Sequence, residues 1–140
     1  MTNTIINIFL FSIILSACNS QNSLPSDNKK EQIIFGSGGG FTGKVMEYTL
    51  LKNGELFLNN TLKNENNKIK TLSKSETKEI FNKIKLLNIE KIQFKHPGNM
   101  YYFVKLKSKE SINEVIWGDN KFSEPNEIKE FYKLLISKVQ

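Results

Sequence analysis

The chain has 140 residues, which is enough for one domain with a single core once a removable N-terminal segment is set aside. Its one cysteine rules out an intramolecular disulfide. All 20 basic residues are lysines, interleaved with 14 acidic ones to leave a net charge of +6, and arginine is absent; spread charge of this kind argues for solubility with mild attraction to anionic surfaces, and against nucleic-acid binding.

No Lys, Arg, Asp or Glu occurs before Cys18. Ile5 to Leu15 is an apolar run too short to span a bilayer as a helix, which needs ~20 residues. It fits the hydrophobic region of a signal peptide. It ends in Leu15-Ser16-Ala17-Cys18, which resembles the lipobox of bacterial lipoproteins. That resemblance implies cleavage before Cys18, diacylglycerol on its sulfur and a position in the cell envelope, on the periplasmic face or the cell surface. Met1 to Thr4 lacks the usual Lys or Arg. The alternatives are an ordinary secretory signal with an incidental cysteine, or an uncleaved anchor.

Three segments are therefore expected: residues 1–17 as signal peptide, 18–31 as lipidated cysteine and flexible tether, and 32–140 as one globular domain. The tether is polar and contains Pro25, with little to bury.

Gln32 to Phe35 reads as a first strand, and a glycine-rich segment follows it. Val45 to Leu51 reads as a second strand, and Asn53-Gly54 predicts a type I′ hairpin turn into a third, Glu55 to Asn59. Residues 59–68 read as an Asn-rich loop, with a short extended piece possible at Ile69 to Leu72. Ser73 and Glu76 have capping-box spacing, and the helix they start places Ile80, Phe81, Ile84 and Leu87 on one stripe before stopping near Asn88. His96-Pro97-Gly98-Asn99 is a turn. Tyr101 to Lys107 and Ile112 to Trp117 read as two further strands. Ser123 is expected to cap a last helix with Pro125 in its first turn, burying Ile128, Phe131, Tyr132, Leu135, Ile136 and Val139. The predicted fold is α+β, an antiparallel sheet of four to five strands with two helices packed on one face.

Gly36 to Lys44, GSGGGFTGK, is the most unusual stretch. It contains a GxGxxG pattern and nearly a phosphate-binding loop, but both motifs need a helix next, and Val45 opens a strand where the second also needs a hydroxyl. Two readings remain open. Gly38, Gly39, Gly40 and Gly43 can serve turn or bulge geometry, or they can carry Phe41 and Thr42 on a protruding loop that inserts Phe41 into a partner.

His96 is the lone histidine, and Asp27 and Asp119 are the two aspartates, so neither a zinc set nor a catalytic triad is supported. Glu124, Glu127 and Glu130 fall at helical spacing with Lys129 and Lys133 nearby, which reads as a solvated face. No cofactor and no catalytic activity are expected. Tyr101, Tyr102 and Phe103 are consecutive, so one of the strand's two faces receives two of these rings. Aromatics on the face left open by the helices would make a binding surface.

Phe35-Gly36, Gly39 to Gly43, the Pro97-Gly98-Asn99 turn before an aromatic strand, Trp117-Gly118 and the C-terminal amphipathic helix together resemble a group of small bacterial lipoproteins. More distantly, Gly39 to Gly43 and the element order are similar to emfourin, a protein inhibitor of thermolysin-like metalloproteases. That likeness implies an exported inhibitor with Phe41 and its flanking glycines as the candidate contact. The functional expectation is a monomeric, lipid-anchored, non-catalytic binding domain, with a protease as the alternative partner.

Overall fold

The computed structural model describes residues 30–60, 63 and 65–140; the expected signal peptide, Cys18 and most of the tether lie outside these residues. Six strands form one antiparallel sheet: β1 (Gln32–Gly39), β2 (Val45–Leu51), β3 (Glu55–Asn60), β4 (Glu65–Thr71), β5 (Met100–Lys107) and β6 (Ile112–Trp117). Their order across the sheet is β4-β3-β2-β1-β5-β6. Two helices, α1 (Lys74–Leu86) and α2 (Asn126–Ser137), complete an α+β fold.

The strand count corrects the expected four to five. The addition is β4, which joins the short extended piece expected from Ile69 to Glu65, Asn66, Asn67 and Lys68, residues that read as loop because they show no apolar alternation. An edge strand with most side chains in water has no need of one. Its partner β3 meets it through a register shift between Leu56 and Phe57, a bulge that twists and blunts the edge. At the opposite edge, Lys95 bridges to Ile116, and the Ile116 N–H donates to the Phe94 carbonyl at 2.9 Å.

Residues paired across an antiparallel sheet share a face. Ile33 and Phe35 of β1 lie beside Leu50 and Tyr48 of β2 and beside Leu106 and Val104 of β5. With Leu56, Val115 and Trp117 this face is apolar. It packs against Ile80, Phe81 and Ile84 of α1 and against Ile128, Phe131 and Leu135 of α2. Each fully buried side chain of this size contributes roughly 1.5–3 kcal/mol. The last helix buries Ile128, Phe131 and Leu135 fully, whereas Tyr132, Ile136 and Val139 are partly buried at its margin.

Local chemistry sets the element ends. Ser73 and Glu76 form the capping box, with the Glu76 N–H donating to Ser73 Oγ and the Ser73 N–H donating to the Glu76 carboxylate at 3.1 Å. The helix ends at Leu86 and Asn88 takes a left-handed φ of 50°. The β2–β3 connection is not the expected type I′ turn, because Asn53 does not adopt positive φ. Gly54 does, at 89°, and its N–H closes the turn on the Leu51 carbonyl at 2.9 Å. The result is a three-residue loop ending in a left-handed glycine. Ser123 does not cap α2. Pro125 holds that position, and its carbonyl accepts from the Ile128 and Lys129 N–H groups, as proline's fixed φ allows.

Candidate functional site

The glycine-rich segment divides into two parts. Gly36, Gly38 and Gly39 belong to β1, which runs four residues beyond its expected end at Phe35. Glycine carries no hydrophobic periodicity, so a strand that continues through it leaves no alternation to read. Only Gly40 to Lys44 form the connection to β2.

That connection is a tight turn. Gly40 and Gly43 take φ of 71° and 61°, and the Gly43 N–H donates to the Gly40 carbonyl at 3.1 Å. Phe41 and Thr42 sit between them, exposed, and Phe41 is 107 % exposed, with no covering neighbour. The base of the turn is held by the Gly40 N–H donating to the Asn99 carbonyl at 2.9 Å. Gly39 lies so close to Asn99 that a β-carbon would come 2.0 Å from the same carbonyl oxygen. A fixed base and a bare aromatic tip are the geometry of a presented side chain.

Two further exposed apolar residues lie at this end of the sheet. Met100, 49 % exposed, pairs with Gly39, and Tyr102, 39 % exposed, follows two residues on along the same face. Tyr102 stacks on Trp117 of β6 with centroids 5.9 Å apart, and Tyr132 of α2 meets both rings edge-on at 5.7 and 5.2 Å. Burial, and then the neighbouring Tyr102 hydroxyl, push the Tyr132 phenol up to about 12 in pKa, so it is a neutral hydrogen-bonding group; its partner is the Ser37 side chain.

These rings form one wall of a groove of ≈570 Å³. Phe122 and Lys129 also line it, with Lys129 paired to Glu124 at 2.6 Å. Phe122 is itself braced by His96, whose ring stacks on it at 3.7 Å. His96 thus supports an aromatic wall, and its backbone N–H donates to the Ile116 carbonyl at 3.0 Å. Among the described residues no three His, Cys, Asp or Glu side chains converge as metal ligands would.

Of the sequence candidates, the structure places Gly40, Phe41, Thr42 and Gly43 together in the turn and Gly38 and Gly39 in the strand leading to it. Cys18 is outside the described residues. The three consecutive aromatics split as alternation demands. Tyr102 joins the helix side, whereas Tyr101 and Phe103 lie on the other face over Gly38 and Gly36, where Phe103 is 2 % exposed. Two of the three rings thus lie on the open face of the sheet, while the most exposed of them, Tyr102, lies beside the helices.

Sequence reasoning missed Met100 and the Tyr132 contribution to this patch. Tyr132 read as core, yet it borders Lys129 and Lys133 on α2, and a tyrosine at the margin of an apolar stripe keeps its hydroxyl near polar partners. No known protein family matches the chain, and no characterised protein matches it significantly in sequence.

Proposed function

We propose that this chain is an exported domain held at the cell envelope by lipid on Cys18, and that it works by binding a protein partner without catalysis. The observation that carries the binding half is the exposure of Phe41 on a turn anchored to Asn99, with Met100 and Tyr102 exposed at the same end of the sheet. Large aromatics on rigid supports dominate interface energies because little side-chain freedom is lost on contact. The anchoring half rests on the lipobox-like Leu15 to Cys18. A two-chain lipid anchor, at ~0.8 kcal/mol per buried methylene, holds a domain of this size firmly.

A second reading makes the partner a thermolysin-like metalloprotease. It is favoured by the same tip: a bare aromatic on a tight two-strand turn fits an apolar specificity pocket, and the emfourin likeness falls on these residues.

Metabolic labelling with a fatty acid tests the anchor. Wild-type protein should carry the label and fractionate with membranes, and Cys18→Ser should do neither. Unmodified Cys18 in protein isolated from the producing cells would remove the anchoring half of the proposal.

A further inference from the structure

The start of β1 and the Phe41 turn lie at opposite ends of the sheet, separated by the eight residues of β1. At ~3.3 Å per residue that is about 25 Å. Helix α1 lies across the β1-start end. Its Thr77 abuts Gly54 of the β2–β3 turn, its Lys85 is 3.8 Å from Glu31, and Ile84 and Ile89 border a crevice with Leu106 near the end of β5. The outer surface of α1 therefore closes the end from which the chain leads back towards Cys18.

That surface is cationic. Lys74, Lys78 and Lys85 fall on one stripe of α1, and with Lys52 of the β2–β3 turn they line a groove of ≈450 Å³. The Lys52 ammonium stands 5.5 Å from the ring of Phe81 in the groove. Glu31 is the carboxylate set against these cations, 2.5 Å from Lys52 and 3.8 Å from Lys85. The nearby Glu55 and Glu76 are taken up by Lys68 and Lys138. Among the described residues Lys74 and Lys78 make no ion pair. At the groove four ammonium groups against one carboxylate leave an excess of three positive charges, and Glu79, exposed on the same helix, is not among the residues that line it. Leu86, which follows Lys85, is 84 % exposed.

We infer that this lysine groove docks the domain on the anionic headgroups of the membrane to which the chain is tethered. The choice of a membrane over another polyanion rests on the anchored reading above. Residues 18–29 reach at most ~40 Å when fully extended, which brings the α1 surface within range of headgroups. A single phosphate suits the groove poorly, because the N-terminal end of α1 already has its capping box closed by Ser73 and Glu76. Lysine ammoniums spread over one helix face match an array of charges instead. Docked this way, the domain holds the Phe41 turn about 25 Å from the headgroups, on the side open to partners.

The test uses residues 18–140 with Cys18→Ser, so that no lipid contributes. Vesicles of phosphatidylcholine alone are compared with an equal mixture of phosphatidylcholine and phosphatidylglycerol, and bound protein is measured by cosedimentation. The protein should bind the mixed vesicles and not the neutral ones, with binding lost as salt screens the charges. Lys74→Glu/Lys78→Glu should weaken binding by about tenfold or more, given the usual contribution of a lysine near an anionic surface. Lys63→Glu/Lys121→Glu, which changes net charge equally away from the groove, should weaken it far less. Thermal melts confirm that each variant is folded. The inference is overturned if the groove variant binds like its parent, if neutral vesicles bind equally well, or if nothing binds. It is also overturned if inorganic phosphate displaces the protein beyond the effect of chloride at matched ionic strength, which would mark a single-phosphate site. Fatty-acid labelling of Cys18 is read independently, so failure of docking and failure of the anchor are told apart.

Discussion

Tyr101 on β5 stands opposite Gly38 on β1 and lays its ring across it, so that a β-carbon on Gly38 would come 2.6 Å from Cζ of the ring. Two residues along, Phe103 is set against Gly36 in the same way, with Cζ 3.0 Å from the position a β-carbon would take. The first glycines of the run thus make room for aromatic rings on the sheet face away from the helices. The last ones, Gly40 and Gly43, reverse the chain. One low-complexity stretch serves two physical ends.

Gly36→Ala should therefore damage the fold where a change in the turn does not. A β-carbon at Gly36 would sit 2.0 Å from the Met46 carbonyl oxygen, a backbone atom that cannot swing aside. Overpacking of this kind costs roughly 1–3 kcal/mol or more. At Gly43 nothing lies within 4 Å of the added carbon, and the strain is only that of a φ of 61°. Asparagine tolerates that region, so Gly43→Asn should be mild. Denaturant melts of the two variants check the order, and equal stability would refute the strand role of Gly36.

The same division separates the elements with local sequence signals from those without them. β2, β6 and the Ser73–Glu76 capping box were legible because apolar alternation and cap spacing are local signals. Only the end of β4, from Ile69, was legible; Glu65 to Lys68 were not, since β4 is mostly exposed and the strand exists by pairing with β3. The extension of β1 through Gly36, Gly38 and Gly39 was hidden for a related reason: what those positions need is set by Phe103, Tyr101 and Asn99, distant in the chain. Phe41 was legible as a candidate tip, but the Met100 and Tyr132 part of the site depends on how β5 and α2 come together.

Acid should act on the fold through Glu76. Its carboxylate accepts from Lys138 Nζ at 2.8 Å and from Ser73, joining the start of α1 to the end of α2. The Lys138 hydrogen bond first, and then those of Ser73, hold the carboxyl down at about 2, against an ordinary value of 4.5. A carboxylate with a lowered folded-state pKa stabilises above its unfolded value and loses that contribution as pH falls through the window from 4.5 to about 2. Glu76→Gln cannot titrate, so its denaturation midpoint should change less across that window than the wild-type midpoint does. Parallel pH dependence in the two proteins would show that the contact carries no linkage.

Phe41 separates a binding loop from a mere turn. Its side chain is 107 % exposed, so Phe41→Ala should leave stability within ~0.5 kcal/mol, as surface substitutions do. Its effect on association should be much larger, since truncating an aromatic anchor at an interface centre typically costs 2 kcal/mol or more, roughly thirtyfold in affinity. A photo-crosslinking amino acid at position 41 in envelope preparations should give one discrete adduct, and that adduct should be competed away by unlabelled wild-type domain but not by Phe41→Ala. Peptide hydrolysis by a thermolysin-like protease distinguishes the two readings of the partner. Slowing by the wild-type domain, relieved in Phe41→Ala, supports the inhibitor. No slowing removes the protease and leaves the crosslinked species to define the partner. A diffuse adduct pattern indifferent to competitor, together with unchanged stability, would reduce Phe41 to an exposed side chain without a role.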